Sequence, residues 1–246
     1  MADFPLCRIS SNADGMKFES VETRGLTLKQ VIDNDKNFGK MTPANGEYFT
    51  YAVFNEDEEI TLNQVEKSAA FAMRRWTIYA KMPEFRRVKR DYTGVIDFRI
   101  EFRTVETDPD KQLKANTIMY HYYPIQDTNN PFRGLCVVNK AFYFTSHGDG
   151  VLGSEFVKQG IPVQFPDQKY QTMDFDKLYG HELGHGLLGL PHDTEPDNMM
   201  AYREDLMTEY PSERDIARAV AKWTERVMPS WILLRWLKWL KRASDR

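Results

Sequence analysis

The sequence predicts an α+β fold in which a helix packs on a twisted mixed sheet and a later helix carries a functional site. Two observations predict this fold. Segments with the two-residue alternation of strands and segments with the 3.6-residue period of helices follow one another in the order β-α-β-β-β-α-α. Apolar residues make up 41% of the 246 residues, which suffices for a sizeable core and excludes a disordered or collagen-like chain.

Strands are predicted where β-branched and aromatic residues are concentrated: Tyr48–Phe54, Val95–Phe102, Thr117–Tyr123 and Leu135–Phe144. The alternation of apolar and polar residues is clearest in Val95–Phe102. Helices are predicted from capping residues and from apolar residues that recur on one face: Thr61–Trp76, about Asp174–Leu188, and a helix that begins near Ser212. One helix therefore follows the first strand, and two helices follow the last strand.

The chain is predicted to contain one domain with an extension at each end. Residues 1–46 are mixed and polar, with turn signals, and form an N-terminal extension whose role as a propeptide is left open. Residues 47–229 form the predicted domain, and residues 230–246 form a basic amphipathic tail. The first residues lack the basic segment and apolar stretch of a secretory signal, and we expect no transmembrane helix.

The formal net charge of −3 is unevenly distributed. From Lys222 onward the chain has seven Lys or Arg and two Asp or Glu, so the preceding residues are acidic as a whole. Because phosphate binding needs a cationic surface, this balance argues against nucleic acid as the main partner. The two cysteines, Cys7 and Cys136, exclude a disulfide framework; we expect free thiols, and a single disulfide is left open.

Residues 181–193 read HELGHGLLGLPHD and contain three of the five histidines. On a helix, His181 and His185 are about 40° apart and project from one face, as two ligands of a tetrahedral zinc site do. Glu182 lies beside them, within reach of a water molecule at the metal. A helix that ends at Gly189 can turn the chain and bring His192 to the same ion. The alternative is two surface histidines on a helix and a third in a loop.

This stretch resembles the metzincin signature HExxHxxGxxH, and other segments resemble the matrixin branch of that family. The similar segments are the helix Thr61–Trp76, VIDFRIEF at 95–102, MYHYYP at 119–124, PDNMMAY at 196–202 and PSERDIARAV at 211–220. The resemblance implies a zincin-like fold with a backing helix, an active-site helix, a Met-turn and a C-terminal helix. It also implies a zinc-dependent endopeptidase that acts on protein or peptide substrates.

The resemblance implies a role for each matching residue. His181, His185 and His192 are the zinc ligands, and Glu182 is the general base. Tyr202 matches a tyrosine that, in the astacin and serralysin branches, can donate to the oxyanion; a core or pocket-wall tyrosine is the alternative. Met200 is the methionine of the Met-turn. The MYHYYP strand is similar to an edge strand that holds an extended peptide by main-chain hydrogen bonds.

The sequence departs from the matrixin pattern at several points, one of which is Tyr202, where matrixins usually have Pro. Three residues, instead of two, separate His185 from Gly189, so the third ligand is shifted by one. We favour His192 as that ligand, and Asp193 is the alternative because a carboxylate also binds zinc. No His-x-Asp pair precedes His121 and the next strand has no histidine, so we expect the structural zinc of matrixins to be absent and only one zinc to bind.

Cys7 lies in the N-terminal extension, where matrixins carry a propeptide cysteine that binds the zinc and keeps the enzyme inactive. The surrounding FPLCRIS lacks the residues that make the family motif recognisable. We therefore interpret Cys7 as a free thiol and keep latency as the alternative.

Three other functions are kept open. The chain could be a catalytically inactive zincin-fold binding protein, a zinc hydrolase of cell-wall peptides, or a membrane-associated protein that acts through its tail. Placed on a helix, residues 231–242, WILLRWLKWLKR, have an apolar face that includes Trp236 and Trp239, opposite a cationic face into which Trp231 and Leu234 intrude. We favour docking of this face on the domain or on a partner, with contact to a membrane surface as the alternative.

Overall fold

The computed structural model of the protein describes these residues: 6–12, 15–18, 26–55, 62–80, 82–142, 144–146, 150–151, 173–193, 195–201, 207–208 and 210–224. Tyr202 lies outside these ranges, and so do residues 225–246, which include the amphipathic tail. The functions expected of these residues therefore stay predictions.

A seven-stranded mixed sheet forms the main layer of the fold. Its strands are β1 Leu6–Asn12, β2 Gly15–Phe18, β3 Phe49–Asn55, β4 Phe85–Arg87, β5 Phe98–Arg103, β6 Thr117–Tyr122 and β7 Leu135–Asn139. Their order is β2-β1-β6-β7-β5-β3-β4. The pairs β3–β4, β3–β5 and β5–β7 are parallel, whereas β6 runs antiparallel to both β7 and β1. Three short strands, β8 Phe144–Ser146, β9 Gly150–Val151 and β10 Met173–Asp174, form a second sheet.

The described residues contain four helices: α1 Leu28–Asp35, α2 Leu62–Ala80, α3 Phe175–Leu188 and α4 Glu213–Thr224. The last three and the mixed sheet confirm the predicted α+β fold. The sequence patterns did not predict α1, which begins with a capping box between Thr27 and Gln30. Within the described ranges, no helix combines the length and the apolar character needed to cross a bilayer.

Helix α2 packs against α3, and one buried side chain ties the two helices together. Trp76 is 1% exposed and donates a hydrogen bond from Nε1 to the backbone oxygen of Gly180 at 2.8 Å. The indole therefore fills the core with its ring and satisfies its polar atom on α3. Through this contact α2 acts as the backing helix that positions α3.

Strand β6 is not at the edge of the described sheet, which differs from the expectation that it offers an open edge to a peptide. The hairpin of β1 and β2 covers it, with Leu6 opposite Tyr122 at one end of the pairing. Within the hairpin, Asn12 lies opposite Gly15, and the sequence has a turn signal at these positions. Local patterns did not reveal the pairing because β1 and β6 are more than a hundred residues apart in the chain.

The strand register excludes a disulfide between the two cysteines. Cys7 on β1 lies opposite His121 on β6, and His121 lies opposite Cys136 on β7. The two cysteine Cα atoms are thus two strand spacings apart, about 9.6 Å, whereas a disulfide requires less than about 7 Å. Cys136 is a buried free thiol.

His121 is fully buried beneath α3. Its Nδ1 donates a hydrogen bond to the backbone oxygen of Tyr122 at 2.8 Å, and a Cβ atom on Gly186 would lie 1.9 Å from its ring. Burial lowers the pKa of His121 to about 3. It is not part of the metal-binding group found among the described residues.

We expect the protein to lose stability as the pH falls below about 6.5, because His121 takes up a proton when the chain unfolds but stays neutral in the folded state down to a pKa of about 3. Between about pH 7.5 and pH 5, this group should lower the free energy of unfolding by about 2 kcal/mol. His121→Leu removes this contribution, so denaturant unfolding at the two pH values should show a correspondingly smaller loss. An equal loss in both proteins would show that His121 binds a proton as readily in the folded chain as in the unfolded chain.

Candidate metal centre

Helix α3 places His181 and His185 one turn apart on one face. Both imidazoles are 0% exposed. The helix can lie this deep in the protein because Gly184 has no side chain: a Cβ atom there would lie 2.3 Å from the sulfur of Met200. Met200, expected beneath the histidines, therefore packs against the helix at the turn that carries them.

The chain turns back at the end of α3, and Gly189 makes this turn. Its φ of 60° is in the left-handed region that glycine adopts without strain, and its N–H donates to the oxygen of His185 at 2.8 Å. Leu190 donates to the oxygen of Gly184 at 3.1 Å. This second bond spans one residue more than the corresponding bond of a Schellman helix end. The residue that is inserted relative to the family signature lies within the span of this bond.

The turn brings His192 to the two histidines of the helix. The Nε2 atoms of His181 and His185 are 3.0 Å apart, and each lies 3.1 Å from Nε2 of His192. In an ideal tetrahedral zinc site with Zn–N bonds of 2.0–2.1 Å, two ligand nitrogens are about 3.3 Å apart. The three nitrogens therefore have nearly the spacing that one zinc ion requires, and they form the metal-binding group found among the described residues.

Hydrogen bonds from Nδ1 orient two of the three rings. His181 donates from Nδ1 to the oxygen of Met199 at 2.7 Å, and His185 donates to the oxygen of Leu190 at 2.5 Å. Because a carbonyl only accepts, each neutral ring carries its proton on Nδ1, and its Nε2 lone pair faces the other rings. Burial lowers the pKa of His181 to about 4 and lowers that of His185 well below its ordinary value. Both rings are thus neutral near pH 7, as metal binding requires.

Asp193 points away from the three histidines. Its Oδ2 lies 2.5 Å from Nε of Arg214 and 3.4 Å from Nη1 of Arg218, and its Oδ1 accepts from the backbone of Glu195. The carboxylate is therefore bound to two guanidinium groups and an amide. Of the two residues considered as third ligand, His192 is the one that the fold brings to the other histidines.

Glu182 follows His181 on α3 and is 0% exposed. Burial raises the pKa of the Cys136 thiol, on β7 beneath the helix, and the charge of the nearby Glu182 raises it further. A buried carboxyl group beside candidate metal ligands is suited to accept a proton from a water molecule.

Asp215 supports the site and was not predicted from the sequence. It lies on α4, and its carboxylate accepts from the backbone N–H of Met199 at 2.7 Å and of Met200 at 3.3 Å. It thereby holds the turn whose carbonyl orients His181. The available signal was the pair Asp215 and Arg218, which the helical period places on the buried face of the last predicted helix.

A family profile described as Matrixin matches residues 43–217 of the chain. A search among curated proteins found no match. The matched range includes β3 to β7, α2, α3 and the three clustered histidines. The chain therefore belongs to the matrixin family of zinc metalloproteases, which confirms the resemblance seen in the sequence.

We expect the protein to bind one zinc ion per chain. His192→Ala removes one of three protein ligands and should weaken zinc binding by more than about a hundredfold, whereas Asp193→Asn should keep one zinc per chain. Metal analysis after dialysis and competition with a chelator measure both effects. If the His192 variant retained zinc and the Asp193 variant lost it, Asp193 would be the third ligand instead of His192. Two zinc ions per wild-type chain would reveal a structural site.

Proposed function

We propose that this protein is a zinc-dependent endopeptidase whose zinc is held by His181, His185 and His192. The observation that carries the proposal is the convergence of three Nε2 atoms, 3.0–3.1 Å apart, beside a buried glutamate. Membership of the matrixin family supports the same reaction. A zinc ion bound there supplies Lewis-acid chemistry, which polarises the scissile carbonyl and makes a water molecule acidic enough to attack near neutral pH.

Glu182 is the general base in this proposal. Its carboxylate takes a proton from the attacking water while the water oxygen bonds to the carbonyl carbon. The carboxyl group then gives this proton to the amine nitrogen as the C–N bond breaks. Its position next to the first ligand on a helix keeps it near the metal but outside the ligand set.

Met200 and Tyr202 complete the proposed site. Met200 packs against Gly184 and forms an apolar floor under the histidines without a chemical role. Tyr202 donates a hydrogen bond to the oxyanion that develops on the carbonyl oxygen. The alternative role of Tyr202, as a core or pocket-wall residue, involves no such hydrogen bond.

The extended peptide substrate binds along β6 in this proposal. Tyr123, which directly follows β6, packs against the ring of His185 with the ring centroids 5.4 Å apart, so the strand leads to the candidate metal centre. Main-chain hydrogen bonds along such a strand would hold peptides of varied sequence. In the described fold, β1 occupies this edge from Leu6 to Ser10. The β1–β2 hairpin must therefore separate from β6 before a substrate strand can pair there.

Two alternative functions predict different experimental results. A catalytically inactive binding protein with this fold would bind zinc but cleave no peptide. A protein that acts on membranes through residues 231–242 would lose its function when the chain is ended at Pro229, while any peptidase activity would persist.

Glu182→Gln should keep bound zinc and lose peptide cleavage by about 10²- to 10⁴-fold, because an amide cannot accept the proton of the attacking water. Zinc content and cleavage of casein or a peptide are compared between the variant and the wild type. Cleavage by the variant at the wild-type rate would refute the proposed role of Glu182.

Deletion of residues 1–18 should lower KM for a peptide substrate several-fold with little change in kcat, because the substrate no longer competes with β1 for β6. Cys7→Ser is the control, since it keeps the strand but removes a thiol able to bind zinc. The same activation in the serine variant would favour latency through Cys7. An unchanged KM in both proteins would show that β1 does not cover the substrate strand.

A further inference from the structure

Arg218 is a fully buried arginine in a polar cluster behind the candidate metal centre. It lies on α4, is 0% exposed, and donates from Nε and Nη2 to the two carboxylate oxygens of Asp35 at 2.9 Å each. Burial alone would lower the pKa of Arg218, but the hydrogen bond and charge of Asp35 raise it above its ordinary value. This bidentate contact fixes the plane of the guanidinium and pairs its charge with a carboxylate.

The same guanidinium holds both residues that flank His192. Nη2 donates to the backbone oxygen of Pro191 at 2.7 Å, and Nη1 lies 3.4 Å from the carboxylate of Asp193. His192 itself is only 2% exposed. Because its two neighbours are anchored to one rigid group, the backbone position of His192 depends on the position of Arg218.

Asp35 orients Arg218 from a remote part of the chain. It is the last residue of α1, lies outside the range matched by the family profile, and is 2% exposed. Lys222, one turn after Arg218 on α4, also donates to the backbone oxygen of Asp35, so the end of α1 is fixed on α4 at two points. Through its contact with Arg218, Asp35 thus connects the N-terminal segment to the turn that carries His192.

We propose that Asp35 and Arg218 are positioning residues for His192, which hold the third ligand in place and so slow the loss of zinc. This inference rests on the proposed zinc site. It also gives residues 26–46 a function in the mature site, which a removable propeptide would not have. His181 and His185 need this support less, because the backbone of α3 already sets their positions.

The test measures zinc release from the zinc-loaded, full-length protein after it is mixed with an excess of a coloured chelator. Asp35→Asn and Arg218→Lys should each release zinc about ten- to a hundredfold faster than the wild type. Asparagine offers one acceptor oxygen instead of two, and lysine lacks the planar fork. If the two residues act as one unit, the double variant should release zinc no faster than Arg218→Lys alone.

A second buried pair serves as the matched control. Arg133 and Asp97 are 3% and 0% exposed, their side chains meet at 2.9 Å, and Arg133 also binds backbone oxygens. These oxygens belong to Thr42, Ile125 and Gln126, none of which flanks a clustered histidine. Asp97→Asn should therefore lower the unfolding midpoint of the zinc-free protein but leave the rate of zinc release unchanged.

The outcomes separate the proposal from general destabilisation. Faster release in the Asp35 and Arg218 variants, with unchanged release in Asp97→Asn, would support positioning of His192. Release at the wild-type rate in the first two, or equal acceleration in all three, would overturn it. A wild-type protein that binds no zinc would refute the proposed metal centre itself, a failure that the wild-type measurement alone reveals.

Discussion

Three imidazole rings meet in the interior of this protein, almost out of contact with solvent, and this constraint governs the residues around them. A buried ring N–H that lacks an acceptor is costly, so Nδ1 must be paired while Nε2 faces the other two rings. The carbonyls of Met199 and Leu190 provide that pairing for the two histidines of α3. Since both carbonyls lie in segments that follow the helix, the ring orientations depend on how those segments are held.

Charged residues of α4 hold these segments without contributing a ligand. Asp215 binds the amides of Met199 and Met200, and Arg218 binds the carbonyl of Pro191. Removing one partner of a buried ion pair costs about 3–5 kcal/mol, since the other charge is left in the interior. The last helix therefore couples the stability of the fold to the geometry of the site, and a change that loosens α4 is expected to disturb both.

Features with a local signal could be predicted from the sequence. The helical spacing of His181 and His185, the alternation in β5 and the glycine turn at Gly189 each depend on residues that are close in the chain. The packing of α1 on α4 and the pairing of β1 with β6 could not be predicted in this way, because these partners are remote in sequence. The choice between His192 and Asp193 as third ligand could not be made from the sequence for the same reason. It depends on guanidinium groups that α4 brings to the carboxylate of Asp193.

The extra residue before Gly189 affects where the segment that carries His192 starts relative to the helix. When the bond that closes a helix end spans one residue more, the following residues start from a different position relative to the helix. A ligand three residues beyond Gly189 would move with them unless a second anchor fixed its neighbours. Arg218 provides this anchor by binding Pro191 and Asp193 on either side of His192. In the proposed site, the buried arginine on α4 thus anchors the same segment that the longer spacing in the ligand motif shifts relative to the helix.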